Sequence, residues 1–249
     1  MILSLLSLLR TLIGWLDLAL LTAILYILSF LPKKMLGTWY RRCYRYWSMV
    51  FVRALRVDLF LHQKNHQPLP EQYILIGNHP SAFEDVGMPA LFDVYYLAKI
   101  EVKTWWIVGR IGQAAGTFYV DRESKDSRQG ASNELKETLL TRHINIGIYP
   151  EGGCKGRRIF TPFRYGVFEL SMQTGVPIVP VFLHYEAQED FEWQFQHLLH
   201  KLWMILTAKN HRANYYVYDA IDPKQFTSKE AFCEHVQNLY LEWQKRYLD

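Results

Sequence analysis

The spacing of hydrophobic positions changes near residue 57, and this change divides the chain into two parts. Beyond that point, short apolar runs alternate with stretches in which apolar residues recur every three or four positions. The first pattern is typical of buried β-strands and the second of amphipathic helices. The candidate strands are 57–62, 73–77, 94–99, 117–121, 145–149, 178–184 and 214–221, and the candidate helices lie near 81–91, 125–142, 163–174, 188–206 and 227–247.

Alternating strands and helices indicate an α/β fold with a central mixed sheet that is flanked by helices. Near the C-terminus, Thr227 and Glu230 have the spacing of a helix capping box, which predicts a final helix that reaches about Tyr247. We therefore expect residues 57–249 to form the α/β domain and residues 1–56 to form a separate N-terminal unit.

The beginning of that unit is strongly apolar. Residues 11–32 contain one charged side chain, Asp17, and an uncharged run extends from Leu18 to Leu31. A helix that spans a bilayer needs about 20 apolar residues. The segment is therefore expected either to span with Asp17 near one interface, or to enter one leaflet and return. No small-x-small cleavage site follows the run, which argues against a cleaved signal peptide.

A second helical pattern follows between Thr38 and Leu55. Its apolar positions are Tyr40, Cys43, Tyr44, Trp47, Phe51 and Leu55, while Arg42, Arg45, Arg53 and Arg56 project elsewhere. Aromatic and arginine side chains favour the membrane interface, although a helix that packs on a domain has the same spacing. The hypothesis is that residues 1–56 form a membrane-docking helical hairpin.

Composition and charge agree with this division. Half of the 249 residues are hydrophobic, which excludes a disordered chain, and three widely spaced cysteines exclude a disulfide framework. The net charge of +4 is made up of 0 for residues 1–32, +7 for residues 33–64 and −3 for the remainder. This distribution favours an anionic bilayer surface over nucleic acid as the partner. The positive-inside rule predicts an inner-membrane protein whose α/β domain faces the cytoplasm.

Polar residues cluster at strand ends, where α/β folds usually place their sites. The first cluster contains Asn78, His79, Ser81, Glu84 and Asp85. A carboxylate that holds one ring nitrogen of a histidine leaves the other nitrogen free to take a proton, which suits general-base chemistry. A turn histidine beside helix-capping acids is the alternative. No second His or Cys stands at ligand spacing, so a metal site is not expected.

Two further clusters are rich in glycine and in basic residues. One runs from Gly116 to Arg122 and places an arginine, which suits phosphate recognition, at a strand end. The other follows the strand at 145–149 and contains Glu151, Gly152, Gly153, Cys154, Lys155, Arg157 and Arg158. Its backbone N–H groups and bases suit a phosphate or an oxyanion. A surface ion pair and a solvated basic loop are the respective alternatives, and for Cys154 an inert thiol is favoured over a nucleophile.

In this order the clusters resemble the four sequence blocks of the glycerolipid (lysophospholipid) acyltransferase family. The matching residues are Asn78-His79 with Asp85, Gly116 with Arg122, Tyr149-Pro150-Glu151-Gly152, and Val176-Pro177-Ile178-Val179-Pro180-Val181. The resemblance covers roughly residues 73–184. It implies the fold of that family and the transfer of a fatty acyl group from an acyl thioester to a lysophospholipid hydroxyl, with 1-acylglycerol 3-phosphate as the first candidate acceptor in phospholipid biosynthesis.

The resemblance also implies roles for individual residues. His79 would be the general base, and acyl-CoA or acyl carrier protein would be the co-substrate, with no further cofactor and no metal. Substrate binding would fall to Asn78, Ser81, Gly116, Arg122, Glu151, Gly152, Gly153, Lys155, Arg157 and Arg158.

Two departures from the family pattern leave alternatives open. The usual acid position is Glu84 here, with Asp85 one residue further; these positions differ by about 100° around a helix. We favour Asp85 as the partner of His79 and keep Glu84 as its rival. The frequent Glu-Gly-Thr-Arg is Glu-Gly-Gly-Cys, so Lys155, Arg157 or Arg158 would replace an arginine thought to hold the acceptor's phosphate. Glycerol 3-phosphate, an amino-acid lipid, or lipid binding without turnover are the alternative functions.

Overall fold

A computed structural model describes residues 2–193 and 197–249, without the side chains of residues 2–7 and 33. The strands form one sheet in the order β1-β7-β6-β2-β5-β3-β4. They are β1 (Asp58–Gln63), β2 (Ile74–Gly77), β3 (Tyr95–Lys99), β4 (Phe118–Val120), β5 (Ile146–Ile148), β6 (Ile178–Tyr185) and β7 (Arg212–Val217). Neighbouring strands are parallel except for the antiparallel pair β6–β7. The predicted mixed α/β sheet is confirmed.

Helices cover both faces of this sheet. They are α1 (Ile2–Leu28), α2 (Lys33–Ala54), α3 (Glu84–Leu91), α4 (Ile100–Lys103), α5 (Trp106–Ala114), α6 (Lys125–Arg142), α7 (Gly166–Thr174), α8 (Gln188–Phe191), α9 (Leu198–Thr207) and α10 (Lys229–Tyr247). One buried cluster joins α6, α7 and α10 to one face, and a second joins α3, α9 and the end of α2 to the other face. All four residues of β2 are buried, as expected for a parallel strand at the centre of a covered sheet.

Two helix predictions need correction, and two helices were missed. The helix expected at 188–206 is two helices, α8 and α9, and part of that prediction, residues 194–196, lies outside the described residues. The N-cap of α10 is Ser228, whose hydroxyl accepts from the Ala231 amide, rather than Thr227. Helices α4 and α5 were not predicted. Buried Ile111 of α5 packs with the apolar side chains of α1 and α2, so tertiary contacts favour that helix.

Helices α1 and α2 form an antiparallel hairpin. The Tyr40 hydroxyl donates to the Leu25 carbonyl at 2.9 Å, and the Trp47 indole donates to the Thr22 hydroxyl at 2.8 Å. Within α1, residues Leu8–Leu28 are long and apolar enough to cross a membrane, and 11% of an 18-residue window there is buried. The structure therefore contains the expected helical hairpin, and most of the apolar side chains between Leu8 and Leu28 are exposed.

The apolar face that was assigned to the membrane is largely internal in α2. Tyr40, Trp47 and Leu55 are buried, and Arg45 donates to the Pro89 carbonyl at 3.3 Å. Cys43, counted in that face, is exposed. This face of α2 packs within the protein, which was the alternative explanation of its spacing. A different stripe, Met35, Trp39, Tyr46 and Met49, is exposed together with Arg42 and Arg53.

Candidate active site

His79 follows the end of β2, and a buried carboxylate holds its ring. His79 Nδ1 lies 2.8 Å from Glu84 Oε2, which also accepts the Ser81 amide at 2.9 Å. The Tyr185 hydroxyl donates to the other oxygen of Glu84. A backbone amide can only donate, so this arrangement suits an ionised Glu84 that accepts a proton-bearing Nδ1. Nε2 is then the nitrogen with a free lone pair.

The prediction that Asp85 is the partner of His79 is corrected, because the hydrogen-bond partner of His79 Nδ1 is Glu84. Both acids lie in the first turn of α3, where a one-residue step turns the side chain by about 100°. Glu84 is fully buried and reaches Tyr185 at the end of β6. Asp85 is exposed. Desolvation by the surrounding protein nevertheless raises the pKa of Asp85, and the charge of His79 opposes that shift.

Burial sets the protonation state of the histidine. Desolvation lowers the pKa of His79 to about 4, opposed by the charge on Asp85 and reinforced by Arg122. Burial also raises the pKa of Glu84, and the hydrogen bonds from Tyr185 and Ser81 oppose that shift. His79 is therefore neutral at pH 7, the state that a general base requires.

Two neighbours fix the position of His79. The Tyr149 ring stacks on the imidazole, with centroids 4.0 Å apart and planes 8° from parallel. Glu151 accepts the His79 amide at 3.0 Å and the Phe160 amide at 3.2 Å through its two oxygens. Burial raises the pKa of Glu151 to about 8. Glu151 thus connects the histidine to the glycine-rich loop and is occupied by backbone groups.

The glycine-rich loop places a thiol at the other ring nitrogen. Cys154 Sγ lies 3.3 Å from His79 Nε2 and 3.4 Å from the Ser81 carbonyl oxygen. The Lys155 amide donates to the His79 carbonyl at 3.2 Å. Gly152, with φ of 78°, adopts a left-handed conformation that glycine tolerates best. The loop therefore closes directly over the imidazole.

A cavity of about 680 Å³ lies beside Tyr149, between α6 and α7. Its walls combine apolar side chains with four bases and one acid. The apolar side chains include Leu97, Val120, Leu135, Ile148, Val167 and Leu170, and the charged ones are Arg122, Glu123, Arg128, Lys155 and Arg164. Arg122 also donates to the Gly152 carbonyl. Arg122 and Lys155 were predicted at this site from the sequence, whereas Arg128 was not.

Arg157 and Arg158 do not line this cavity. The Arg157 guanidinium donates to Gln188 at 3.1 Å and its backbone amide to Glu192 at 3.0 Å. Arg158 forms a 2.6 Å ion pair with Asp249 near the C-terminus. The loop therefore distributes its bases over different surfaces, and Lys155 is the one of the three candidate replacements that lines the cavity.

Three other predicted binding residues have structural contacts instead. Asn78 is buried and extends the sheet, since its side chain donates to the Leu183 carbonyl at 3.0 Å and accepts the Leu183 amide at 2.7 Å. Ser81 is buried, and its hydroxyl accepts the amide of Phe83. Gly116 precedes β4. Because β2, β5, β3 and β4 are parallel, Gly116 lies at the amino ends of these strands, whereas His79 follows the carboxyl end of β2. Asn78 and Ser81 thus shape the site without lining the cavity, and Gly116 lies away from it.

A model of the family described as Acyltransferase matches residues 58–184. The chain is 28% identical over 144 residues to the 1-acyl-sn-glycerol-3-phosphate acyltransferase alpha of Ovis aries, covering 57% of this chain and 48% of the relative. It is 29% identical over 122 residues to the 1-acyl-sn-glycerol-3-phosphate acyltransferase of Neisseria gonorrhoeae, covering 48% of each. The chain thus spans about half the length of these curated relatives.

A solved structure shares the fold over nearly the whole chain. It is the crystal structure of the 1-acyl-sn-glycerophosphate (LPA) acyltransferase PlsC from Thermotoga maritima, with a TM-score of 0.61 and 17% sequence identity. The match covers 98% of this chain and 96% of that one. The similarity therefore extends beyond the residues matched by the family model.

Proposed function

The chain belongs to the acyltransferase family, and we propose that it transfers a fatty acyl group from an acyl thioester to the free hydroxyl of a lysophospholipid. The observation that carries this proposal is the neutral, buried His79, held by Glu84 beside a cavity with a basic rim. A base suits the hydroxyl acceptor, and the basic rim suits a phosphate on a substrate. The reaction would contribute to phospholipid biosynthesis.

In the proposed reaction His79 Nε2 accepts the proton of the attacking hydroxyl. Glu84 holds Nδ1 and stabilises the imidazolium that forms, because the carboxylate lies 2.8 Å away in a buried environment. A positioned general base typically contributes on the order of 10²–10⁴ in rate. The imidazolium then returns its proton to the leaving thiol, so that no net proton remains on the enzyme.

The tetrahedral oxyanion would bind at the glycine-rich loop. Within the described part of the chain, the amides of Gly153 and Cys154 have no hydrogen-bond partner. Free backbone N–H groups of this kind stabilise an oxyanion strongly when water is excluded. The loop thus offers donors close to the imidazole that acts as base.

The phosphate group would bind at the basic rim of the cavity. Arg122, Arg128, Lys155 and Arg164 bring four positive charges to the lining of the cavity, which we call its basic rim, with Glu123 as the single acid. The apolar side chains of the same lining suit an acyl chain or another apolar part of a substrate. We therefore propose 1-acylglycerol 3-phosphate as acceptor, and acyl-CoA or acyl carrier protein as donor.

The reaction would occur at a bilayer surface, because a lysophospholipid keeps its acyl chain in the membrane. The exposed face of α1, the stripe containing Trp39 and Tyr46, and Trp106, which is 78% exposed, offer an apolar and aromatic surface. Trp106 packs edge-on against Tyr26 at 6.2 Å, next to the end of α1. We propose that this surface docks on anionic lipid at the cytoplasmic face of the inner membrane.

A panel of acceptors tests the proposed activity. The purified full-length chain would be incubated in anionic vesicles with labelled acyl-CoA or acyl carrier protein. The acceptors would be 1-acylglycerol 3-phosphate, glycerol 3-phosphate, a neutral monoacylglycerol and a lyso amino-acid lipid. We expect labelled diacylglycerol 3-phosphate as the main product. Transfer confined to an acceptor without phosphate would contradict the phosphate assignment, and binding without any transfer would contradict the enzymatic function.

A further inference from the structure

Glu84 is a fully buried carboxylate without a permanent cation beside it. In the part of the chain that the structure describes, its ion-pair partner is His79, and no lysine or arginine pairs with it. A buried carboxyl group without a positive neighbour takes up a proton readily, because desolvation disfavours its charged form. A protonated Glu84 could not stabilise the imidazolium of the proposed reaction. Other groups therefore have to favour the carboxylate.

Two tyrosine hydroxyls lie in line behind this carboxylate. Tyr185, at the end of β6, donates to Glu84 Oε1, and the hydroxyl of Tyr215 in β7 lies 3.2 Å from the Tyr185 hydroxyl. A phenol carries one proton to donate. Because Tyr185 gives its proton to Glu84, Tyr215 donates to Tyr185, and each hydrogen bond polarises the next. All three side chains are buried, so the line is shielded from water.

We propose that Tyr185, supported by Tyr215, is a positioning residue that keeps Glu84 ionised and aligned with His79 Nδ1. The inference rests on the proposed function, because Tyr185 would act on the reaction through the general base. It also goes beyond that function, since both tyrosines lie outside residues 73–184, which carry the sequence resemblance.

The packing around the two phenols holds them in line. The Phe191 ring stacks on Tyr185, with centroids 4.5 Å apart and planes 10° from parallel. Gly87 lies about one turn of α3 beyond Glu84, and a Cβ atom at that position would clash with the Tyr215 hydroxyl oxygen. The absence of a side chain at Gly87 thus leaves the space that the Tyr215 hydroxyl occupies.

The groups around Glu84 make these hydroxyls important for its charge. Burial raises the pKa of Glu84, and the hydrogen bonds from Tyr185 and from the Ser81 amide lower it. Burial also raises the pKa of both phenols well above its ordinary value, so they remain hydrogen-bond donors. No permanent cation is among the titratable groups that face Glu84 in the described residues, which are His79, Asp85, Tyr149, Glu151, Cys154, Tyr185 and Tyr215.

Tyr185→Phe removes the hydroxyl and keeps the ring, so it should raise the pKa of Glu84. Glu84 supports transfer only as a carboxylate, and activity is lost as the pH falls through that pKa. From the typical strength of a hydrogen bond to a charged group, we expect the acid limb of kcat/KM to move up by about one to two pH units. Above both limbs, the variant should recover most of the wild-type rate, which a merely structural defect would not allow.

Tyr218→Phe is the matched control. The Tyr218 hydroxyl also pairs with a second tyrosine hydroxyl, that of Tyr247 at 2.9 Å, and it has no hydrogen bond to Glu84. Its acid limb should stay at the wild-type pH. In a Glu84→Gln background, Tyr185→Phe should shift nothing further, because no carboxylate remains to be protonated. An unchanged limb in Tyr185→Phe, or a loss that is equal at every pH, would overturn the inference while wild-type transfer upholds the proposed function.

An infrared titration without substrate separates the inference from the proposed function. The absorption of the protonated Glu84 carboxyl group, identified by its absence in Glu84→Gln, should appear at higher pH in Tyr185→Phe than in the wild type and in Tyr218→Phe. That shift, together with no transfer by the wild type to any acceptor, would support the role of Tyr185 and refute the proposed function. Equal midpoints in Tyr185→Phe and the wild type would overturn the inference, whether or not the wild type transfers acyl groups.

Discussion

Replacing Glu84 with glutamine removes the charge behind His79 while keeping a similar shape and a hydrogen-bond acceptor. The imidazolium that forms during transfer lies beside this carboxylate, with Nδ1 and Oε2 at 2.8 Å and Glu84 fully buried. With the charge centres about 4 Å apart and an effective dielectric constant of about 20, their attraction is about 4 kcal/mol. Since about 1.4 kcal/mol corresponds to a tenfold change in rate, we expect Glu84→Gln to lower kcat about 10³-fold.

Asp85→Asn is the matched control for this measurement. It removes the same charge one residue further along α3, at a position that solvent reaches. Exposed charge pairs contribute about 0–1 kcal/mol, so this variant should lose less than about tenfold in kcat. Both variants would be compared at saturating donor and acceptor on vesicles, after circular dichroism shows that they are folded. A larger loss in Asp85→Asn than in Glu84→Gln would refute the assignment of Glu84 as the partner.

Three further predictions concern acid sensitivity, membrane binding and the basic rim. Because burial lowers the pKa of His79 to about 4 and raises the pKa of Glu84, the acid limb of kcat/KM should report protonation of Glu84 rather than of the ring, and Glu84→Gln should move that limb to lower pH; an unchanged limb in Glu84→Gln would contradict this. Leu20 on α1 is 62% exposed, and Leu20→Glu should weaken sedimentation with anionic vesicles at least about tenfold. Leu140 on α6 is 54% exposed, and the control Leu140→Glu should leave sedimentation unchanged. Equal effects of the two variants would argue against docking through α1. Arg122→Gln should raise the KM for a phosphate-bearing substrate, because Arg122 lines the cavity. Arg158→Gln breaks an ion pair with Asp249 outside the cavity and should leave that KM unchanged. The reverse result would contradict the assignment of the phosphate site to the cavity.

The sheet could be predicted because its strands leave strong local signals. The central strands are buried on both faces and are nearly uninterrupted apolar runs, as β2 illustrates. Helix α6 begins and ends where its pattern predicted, and the Ser124 hydroxyl caps it by accepting the Ser127 amide. By contrast, α5 packs on the hairpin through Ile111, a contact that spacing within the segment does not reveal.

Most residues of the site could be predicted from the sequence, but the contacts between them could not. The sequence placed His79, Glu84 and Asp85 together, but the choice between the two acids depends on which way α3 leaves β2. Likewise, the sequence places Lys155 and Arg158 in one basic loop. The path of that loop places Arg158 next to Asp249, with which it forms an ion pair. The position of Cys154 near His79 Nε2 depends on loop closure, which spacing along the sequence does not show.

We propose that this chain transfers acyl groups with His79 as the base. The most direct measurement compares wild type with His79→Ala, in full-length form on anionic vesicles, for transfer of a labelled acyl group to 1-acylglycerol 3-phosphate. We expect product from the wild type and a loss on the order of 10²–10⁴ in the folded, vesicle-bound variant. Near-normal transfer by His79→Ala, or no product from the wild type with either donor, would contradict the account.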